Sequence, residues 1–307
     1  MKLEVVKKED EGIRLDRWFK RHFQSFRMSE LNKCLREKNI KVNGKKAECG
    51  YRVCEKDEIL YPDTFGQNKP EKKTFVSDKD RAWLQEMVIY KDRDILAINK
   101  PCGLAVQGGS GQVRFLDALL DGLDMGTGKR PKLVHRLDKD TSGVLILARN
   151  QIAATWLTRL FKERDMHKTY LAVVSKRVKA GKGVINAPLR KAVVGGVEMV
   201  VVDKENGLPA VTEYEVLGAC DEASLIRFKP KTGRTHQIRA HAKYMGHPIL
   251  GDVKYGKKDG LKLHLHALEI EIPEGEKNIK ISAPVPDYME ETINRFGLNK
   301  GGKNEKN

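Results

Sequence analysis

Leu15, Trp18, Phe19 and Phe23 recur at helical spacing, and Leu31 and Leu35 continue the run until Glu37-Lys38-Asn39 ends it. Ile40-Lys41-Val42 then alternates into Asn43-Gly44, the strongest short-range hairpin signal. With the closing segment Asp57 to Pro62, residues 1–62 read as one small α/β unit. Residues 63–82 are polar, charge-rich and without period, which predicts a linker. Beyond it, Val88-Ile89-Tyr90 and Ile95–Ile98 predict two strands joined by Lys91–Asp94, and Val144–Ala148 a fully buried one. Ile152 to Met166 carries one apolar face and predicts a helix. Strand-like runs follow at 169–174, 211–217, 225–228, 263–272 and 279–282. Regular strand-helix alternation is missing, so residues 83–297 are expected to form an α+β domain around a mixed, mainly antiparallel sheet. Residues 298–307 are expected to be a disordered tail.

A chain of 307 residues suits two domains. Lys and Arg number 58 against 42 Asp and Glu, a surplus of +16 that points to a polyanionic partner, most often nucleic acid. No apolar run reaches the roughly 18 residues of a membrane span, so no membrane partner is expected. The first residues lack a signal-peptide core and carry acids, and the five cysteines are widely spaced. Both features fit reduced thiols in a cytoplasmic protein. Cys49 and Cys54 lack a second ligand pair, and His236/His241 and His264/His266 lack a completing carboxylate or thiol, so no metal is expected. An aromatic content of 7% argues against a purely stacking single-strand binder.

In the first unit Lys33, Arg36, Lys41, Lys45 and Lys46 cluster in the second helix and the hairpin. Alone this reads as a solvated face; with the charge of the whole chain it suggests phosphate contacts. The stretch from Arg14-Leu15-Asp16 through Val42-Asn43-Gly44-Lys45 to Lys56-Asp57-Glu58-Ile59 resembles the small RNA-binding module first described in ribosomal protein S-four. It has Lys56-Asp57 where that family usually shows Gly-Asp.

Several chemistries fail on spacing. Gly126-Thr127-Gly128-Lys129 is followed by Arg130 and lacks the earlier glycine of a phosphate loop, so no nucleotide cofactor is expected. There is no nucleophile elbow and no His-Glu-x-x-His. His135-Arg136-Leu137-Asp138-Lys139-Asp140-Thr141-Ser142-Gly143 is polar and leads directly into an apolar strand. That placement suits either a functional carboxylate or a surface turn.

The same segment resembles the signature of the RluA-type pseudouridine synthases. Lys168-Thr169-Tyr170-Leu171-Ala172, Lys231-Thr232-Gly233-Arg234-Thr235-His236-Gln237-Ile238-Arg239, Gly246–Asp252, Leu265-His266-Ala267 and Ser282-Ala283-Pro284 follow in that family's order. Gln107-Gly108-Gly109 reads closest to its RluC branch, whose members modify several large-subunit uridines. The resemblance implies isomerisation of uridine to pseudouridine in large-subunit ribosomal RNA, by a monomer needing no cofactor. It implies Asp138 as the catalytic carboxylate, acting as nucleophile or as base, with Arg239 as its cation and Tyr170 packing on the base. Arg136 would fill the space of the flipped nucleotide, Arg234 and His236 would bind substrate, and Ile281 would wall the pocket. Transfer RNA as substrate, a non-catalytic ribosome-assembly factor and a base glycosylase are the rival readings.

Overall fold

The computed structural model describes residues 1–23, 25–67, 76–108, 114–124, 128–179, 181–275 and 277–299. Two units result, Met1–Lys73 and Thr74–Asn307. In the first, helix Leu15–His22 buries Leu15, Trp18 and Phe19, and helix Met28–Arg36 buries Leu31 and Leu35. They accompany a sheet ordered Lys2–Val5, Glu58–Tyr61, Lys41–Val42, Lys45–Lys46. The hairpin turns at Asn43 and Gly44, whose φ of 49° and 73° are the pair a type I′ turn requires. Asn43 also donates to Asp57 Oδ1 at 2.7 Å, and its own Oδ1 accepts the Glu58 N–H at 2.8 Å. Strand Lys2–Val5 is an addition to the sequence reading: Leu3 and Val5 are exposed at 57% and 51%, so no buried face announces it.

The second unit is built on one sheet whose main path runs 182–186, 211–219, 223–230, 167–175, 265–274, 142–148, 95–100, 88–91. Strand 277–282 pairs on 265–274, and strand 132–133 on 142–148. Every pairing is antiparallel except that between Leu265–Glu274 and Ser142–Ala148, which makes the sheet mixed, as the pattern predicts. All seven residues of Ser142–Ala148 are buried, which explains an apolar run without alternation. Helix Gln151–Glu163 starts where Asn150 Oδ1 accepts the Ala153 N–H at 2.8 Å and stops at Arg164, whose φ is 68°.

Two boundaries and one hairpin differ from the sequence reading. The segment taken as a linker ends in helix Asp78–Glu86, begun by Ser77, whose Oγ accepts the Asp80 N–H at 3.1 Å. Ser77-Asp78-Lys79-Asp80 is a capping signal that the surrounding charge obscured. Leu298 is 1% exposed and packs with Met289 and Ile293 of helix Asp287–Arg295, so the fold extends past 297. The rest of the tail from 300, and Gly109 to Gly111, lie outside the described residues. Strands Leu189–Val194 and Val197–Val202 form a separate hairpin around Gly195-Gly196, both at positive φ. The Gly-Gly pair was the available signal.

Gly143 sits where the loop bearing Asp138 enters the sheet. Its φ is +108°, and a Cβ there would stand 2.2 Å from the Ala267 carbonyl oxygen across the parallel pair. Gly143→Ala is expected to destabilise the second unit by about 3 kcal/mol, from strain and overpacking together. Urea unfolding checks this; a loss below about 1 kcal/mol would show that the two strands can part freely there.

Candidate active site

The loop between strands Lys132–Leu133 and Ser142–Ala148 presents Asp138, and it is held from behind by a lysine. Lys100 is 0% exposed, and its Nζ donates to the carbonyls of Pro101, Leu104 and Lys139, each at 2.9 Å. Three acceptors match the three N–H bonds of an ammonium. Burial draws its pKa down to about 8. The Gly103 N–H also donates to the Lys139 carbonyl, at 3.1 Å. Lys100 follows Leu96 and Ile98 at alternate positions of one strand, so its inward direction was readable from the period. His135, three residues before Asp138, stacks on Phe161 at 4.2 Å, and its Nε2 accepts the Ile146 N–H at 2.8 Å. Burial pushes its pKa down to about 3, leaving it neutral and structural.

Opposite the loop, helix Gln237–Tyr244 carries Arg239. Its Nε and Nη2 donate to the two oxygens of Asp252, both at 2.8 Å, and its Nη1 donates to Asp138 Oδ2 at 3.3 Å. Burial alone would lower the arginine pKa, but Asp252 and then Asp138 raise it, so the charge is permanent. Asp252 also accepts the N–H groups of Lys254 and Tyr255 at 3.1 Å. Asp252 closes the Gly246–Asp252 motif, and nothing in its local sequence singles it out from the rest of that motif.

The loop before this helix is organised by Gln237, 4% exposed. Its Oε1 accepts from Thr232 Oγ1 and the Arg234 N–H, while its Nε2 donates to Val211 O and Thr212 Oγ1. His236, at a φ of 51°, lies with its Nε2 3.7 Å from Asp138 Oδ2.

A cleft of about 390 Å³ joins these elements, lined by Arg136, Asp138, Tyr170, Arg234, His236 and Arg239 among others. Six of the predicted site residues therefore converge. Tyr170 comes from strand His167–Ser175, and burial followed by the Asp138 charge raises its pKa, so its hydroxyl stays protonated. Arg136 is exposed at the rim. Arg234, expected to bind substrate, lines the cleft and donates through Nε to Pro209 O at 3.2 Å.

Ile281 must be corrected. It is 3% exposed and packs with Ile146, Ile270 and Ala283 in a core cluster, not on the cleft. Strand pairing opposite Ile270 turns it inward, and the apolar wall comes from Leu137, Ile238 and Leu265. His241, His264 and His266 are buried and hydrogen-bonded, as structural histidines are.

Lys100→Met should leave the Pro101 and Leu104 carbonyls without a donor, while Lys139 keeps the Gly103 N–H, destabilising the second unit by on the order of 3 kcal/mol. Chemical denaturation measures this, and a neutral outcome would mean that water replaces the ammonium.

A family model described as RNA pseudouridylate synthase matches residues 94–244, which include the loop of Asp138, the strand of Tyr170 and the helix of Arg239. The chain is 38% identical over 289 residues to the ribosomal large subunit pseudouridine synthase C of Rickettsia typhi, covering 90% of this chain and 95% of the relative. It is 33% identical over 313 residues to the protein of that name from Vibrio vulnificus, covering 95% and 96%. Among solved structures, human RNA pseudouridylate synthase domain containing 4 superposes with a TM-score of 0.62 at 26% identity, over 72% of this chain and 97% of that one. Similarity sustained over nearly the full length of these relatives, through every element that builds the cleft, places the chain in the RNA pseudouridylate synthase family.

Proposed function

We propose that this protein isomerises uridines in ribosomal large-subunit RNA, with Asp138 as the catalytic carboxylate. The observation that carries the site reading is Asp138 Oδ2 facing the buried Arg239 Nη1 at 3.3 Å in a cleft that Tyr170 also lines. The reaction breaks the bond between the uracil and ribose C1′, turns the base and rejoins it through carbon 5. Atoms and electrons are conserved, so the chemistry calls for no redox partner. Whether the carboxylate attacks the sugar or removes a sugar proton, it acts as the anion, and Arg239 Nη1 holds its Oδ2 at 3.3 Å. The Tyr170 ring offers a face for the uracil. A uridine in folded RNA must first be extruded, at a cost of on the order of a few kcal/mol, and the exposed guanidinium of Arg136 suits the vacated stack.

The ribosomal substrate is supported by the names of the full-length relatives from Rickettsia and Vibrio. It is supported also by the first unit, read as an RNA-binding module like that of ribosomal protein S-four. There Lys33, Arg36, Lys45 and Lys46 are exposed, Lys41 is half-buried, and none forms an ion pair with a described carboxylate. Lys41 and Lys46 stand directly opposite each other in the hairpin, a like-charge pairing that a phosphate would relieve. Cytoplasmic action as a monomer completes the proposal; among the described residues no helix is long and apolar enough to cross a membrane.

In cells lacking the protein, carbodiimide-stop mapping of ribosomal RNA should lose specific large-subunit pseudouridines. Wild type should restore them, and Asp138→Asn should not. Loss only in transfer RNA would replace the substrate, and restoration by Asp138→Asn would remove the catalytic assignment. In vitro, Asp138→Asn should slow the reaction by about 10³-fold with RNA affinity unchanged. Replacing Lys33, Arg36, Lys41 and Lys45 by Gln should reduce the salt slope of RNA binding by about one unit per lost contact. An unchanged slope would return these residues to a solvated surface.

A further inference from the structure

Tyr255 is 2% exposed and packs with Leu189, Val200 and Ala240. Its ring lies 5.1 Å from the Arg239 guanidinium and meets the His236 ring edge-on at 5.7 Å. Its hydroxyl has two partners among the described residues. The Val200 N–H donates to Oη at 3.0 Å, and His236 Nδ1 stands 3.0 Å from the same oxygen.

A phenol carries one hydrogen. With Val200 donating to the oxygen, that hydrogen has only His236 Nδ1 to meet. The opposite assignment would bury an unpaired O–H. Nδ1 is therefore the acceptor, and the one proton of the neutral imidazole sits on Nε2. Burial lowers the His236 pKa, and Arg239 and Lys254 act in the same direction against Asp138 and Asp252, so the ring stays neutral.

The Nε2–H so defined lies 3.7 Å from Asp138 Oδ2, the same oxygen that Arg239 approaches at 3.3 Å. No described group donates to Oδ1. We propose that Tyr255 fixes His236 as its Nε2–H tautomer, so that His236 and Arg239 together hold Oδ2 of Asp138 and leave Oδ1 to meet the ribose. The proposal rests on Asp138 being the catalytic carboxylate. His236 and Tyr255 act as positioning residues, with His236 Nε2 3.7 Å from Oδ2 in the free cleft, a range from which catalytic contacts tighten once substrate is bound. Val200 belongs to strand Val197–Val202, so the hairpin Leu189–Val202 reaches the carboxylate through two side chains.

Tyr255→Phe removes the hydroxyl and keeps the ring against Arg239. The test combines long-range proton–nitrogen NMR of the full-length protein with single-turnover kinetics on an unmodified large-subunit RNA transcript. The His236 signals are assigned with His236→Gln. The wild type should show Nε2–H. Tyr255→Phe should show a mixture with Nδ1–H and a single-turnover rate about tenfold lower at saturating enzyme, with RNA affinity unchanged.

His236→Gln, whose amide nitrogen overlays Nε2, should lose less activity than His236→Asn, whose amide overlays Nδ1. This second pair keeps the test open should Tyr255→Phe fold poorly. An Nδ1–H wild type overturns the proposal, as does a Tyr255→Phe protein in which tautomer or rate is unchanged, or an Asn variant as active as the Gln one. An active Asp138→Asn would instead overturn the catalytic reading while leaving the tautomer result standing.

Discussion

Arg239 keeps a guanidinium, 9% exposed, between two carboxylates, and the geometry of the cleft hangs on that arrangement. A buried charge left without its partner is strongly destabilising, so the arginine depends on Asp252. The division of labour follows from exposure. Asp252, fully buried, takes the bidentate pair and fixes the plane of the guanidinium; Asp138, 25% exposed, takes the remaining Nη1. A cation already satisfied by Asp252 can orient Asp138 without closing it off from a substrate.

The carboxylate is positioned from the other side by backbone. Lys100 and Gly103 both donate to the Lys139 carbonyl, one residue beyond Asp138, and the Thr141 N–H donates to the carbonyl of Asp138 itself at 3.2 Å. Gly143 then lets the strand pass within contact of Ala267. Loop and helix are thus each tied to rigid elements before any substrate arrives, which is what a preorganised site requires.

Burial also removes unwanted titration. His135 is pushed down to about 3 and His266 to about 4, so both remain neutral scaffolding near neutral pH. Ser142 donates to His266 Nδ1 at 2.9 Å, and His266 Nε2 donates to Ala283 O at 3.3 Å, linking the start of strand Ser142–Ala148 to the segment after Ile281. The cations lining the cleft are then Arg136, Arg234, Arg239 and Lys168, which outnumber Asp138 and make a fitting background for an anionic polymer.

Periodicity determined the helix of Trp18 and Phe19 and the buried strand 144–148, turn residues the Asn43-Gly44 hairpin, and the missing strand-helix alternation the α+β class. Ordered motifs determined the family and brought Asp138, Tyr170 and Arg239 forward together. Elements whose apolar faces are short or flanked by charge escaped: helix Asp78–Glu86, strand Lys2–Val5 and the hairpin 189–202. Only the tertiary structure could place Ile281 in the core, turn Arg234 towards Pro209 and set Asp252 and Tyr255 behind the residues facing the cleft. The reason is physical. Local pattern encodes which face of an element is buried, whereas hydrogen-bond partners more than 100 residues apart, such as Asp138 and Arg239, are chosen by how the strands and helices pack.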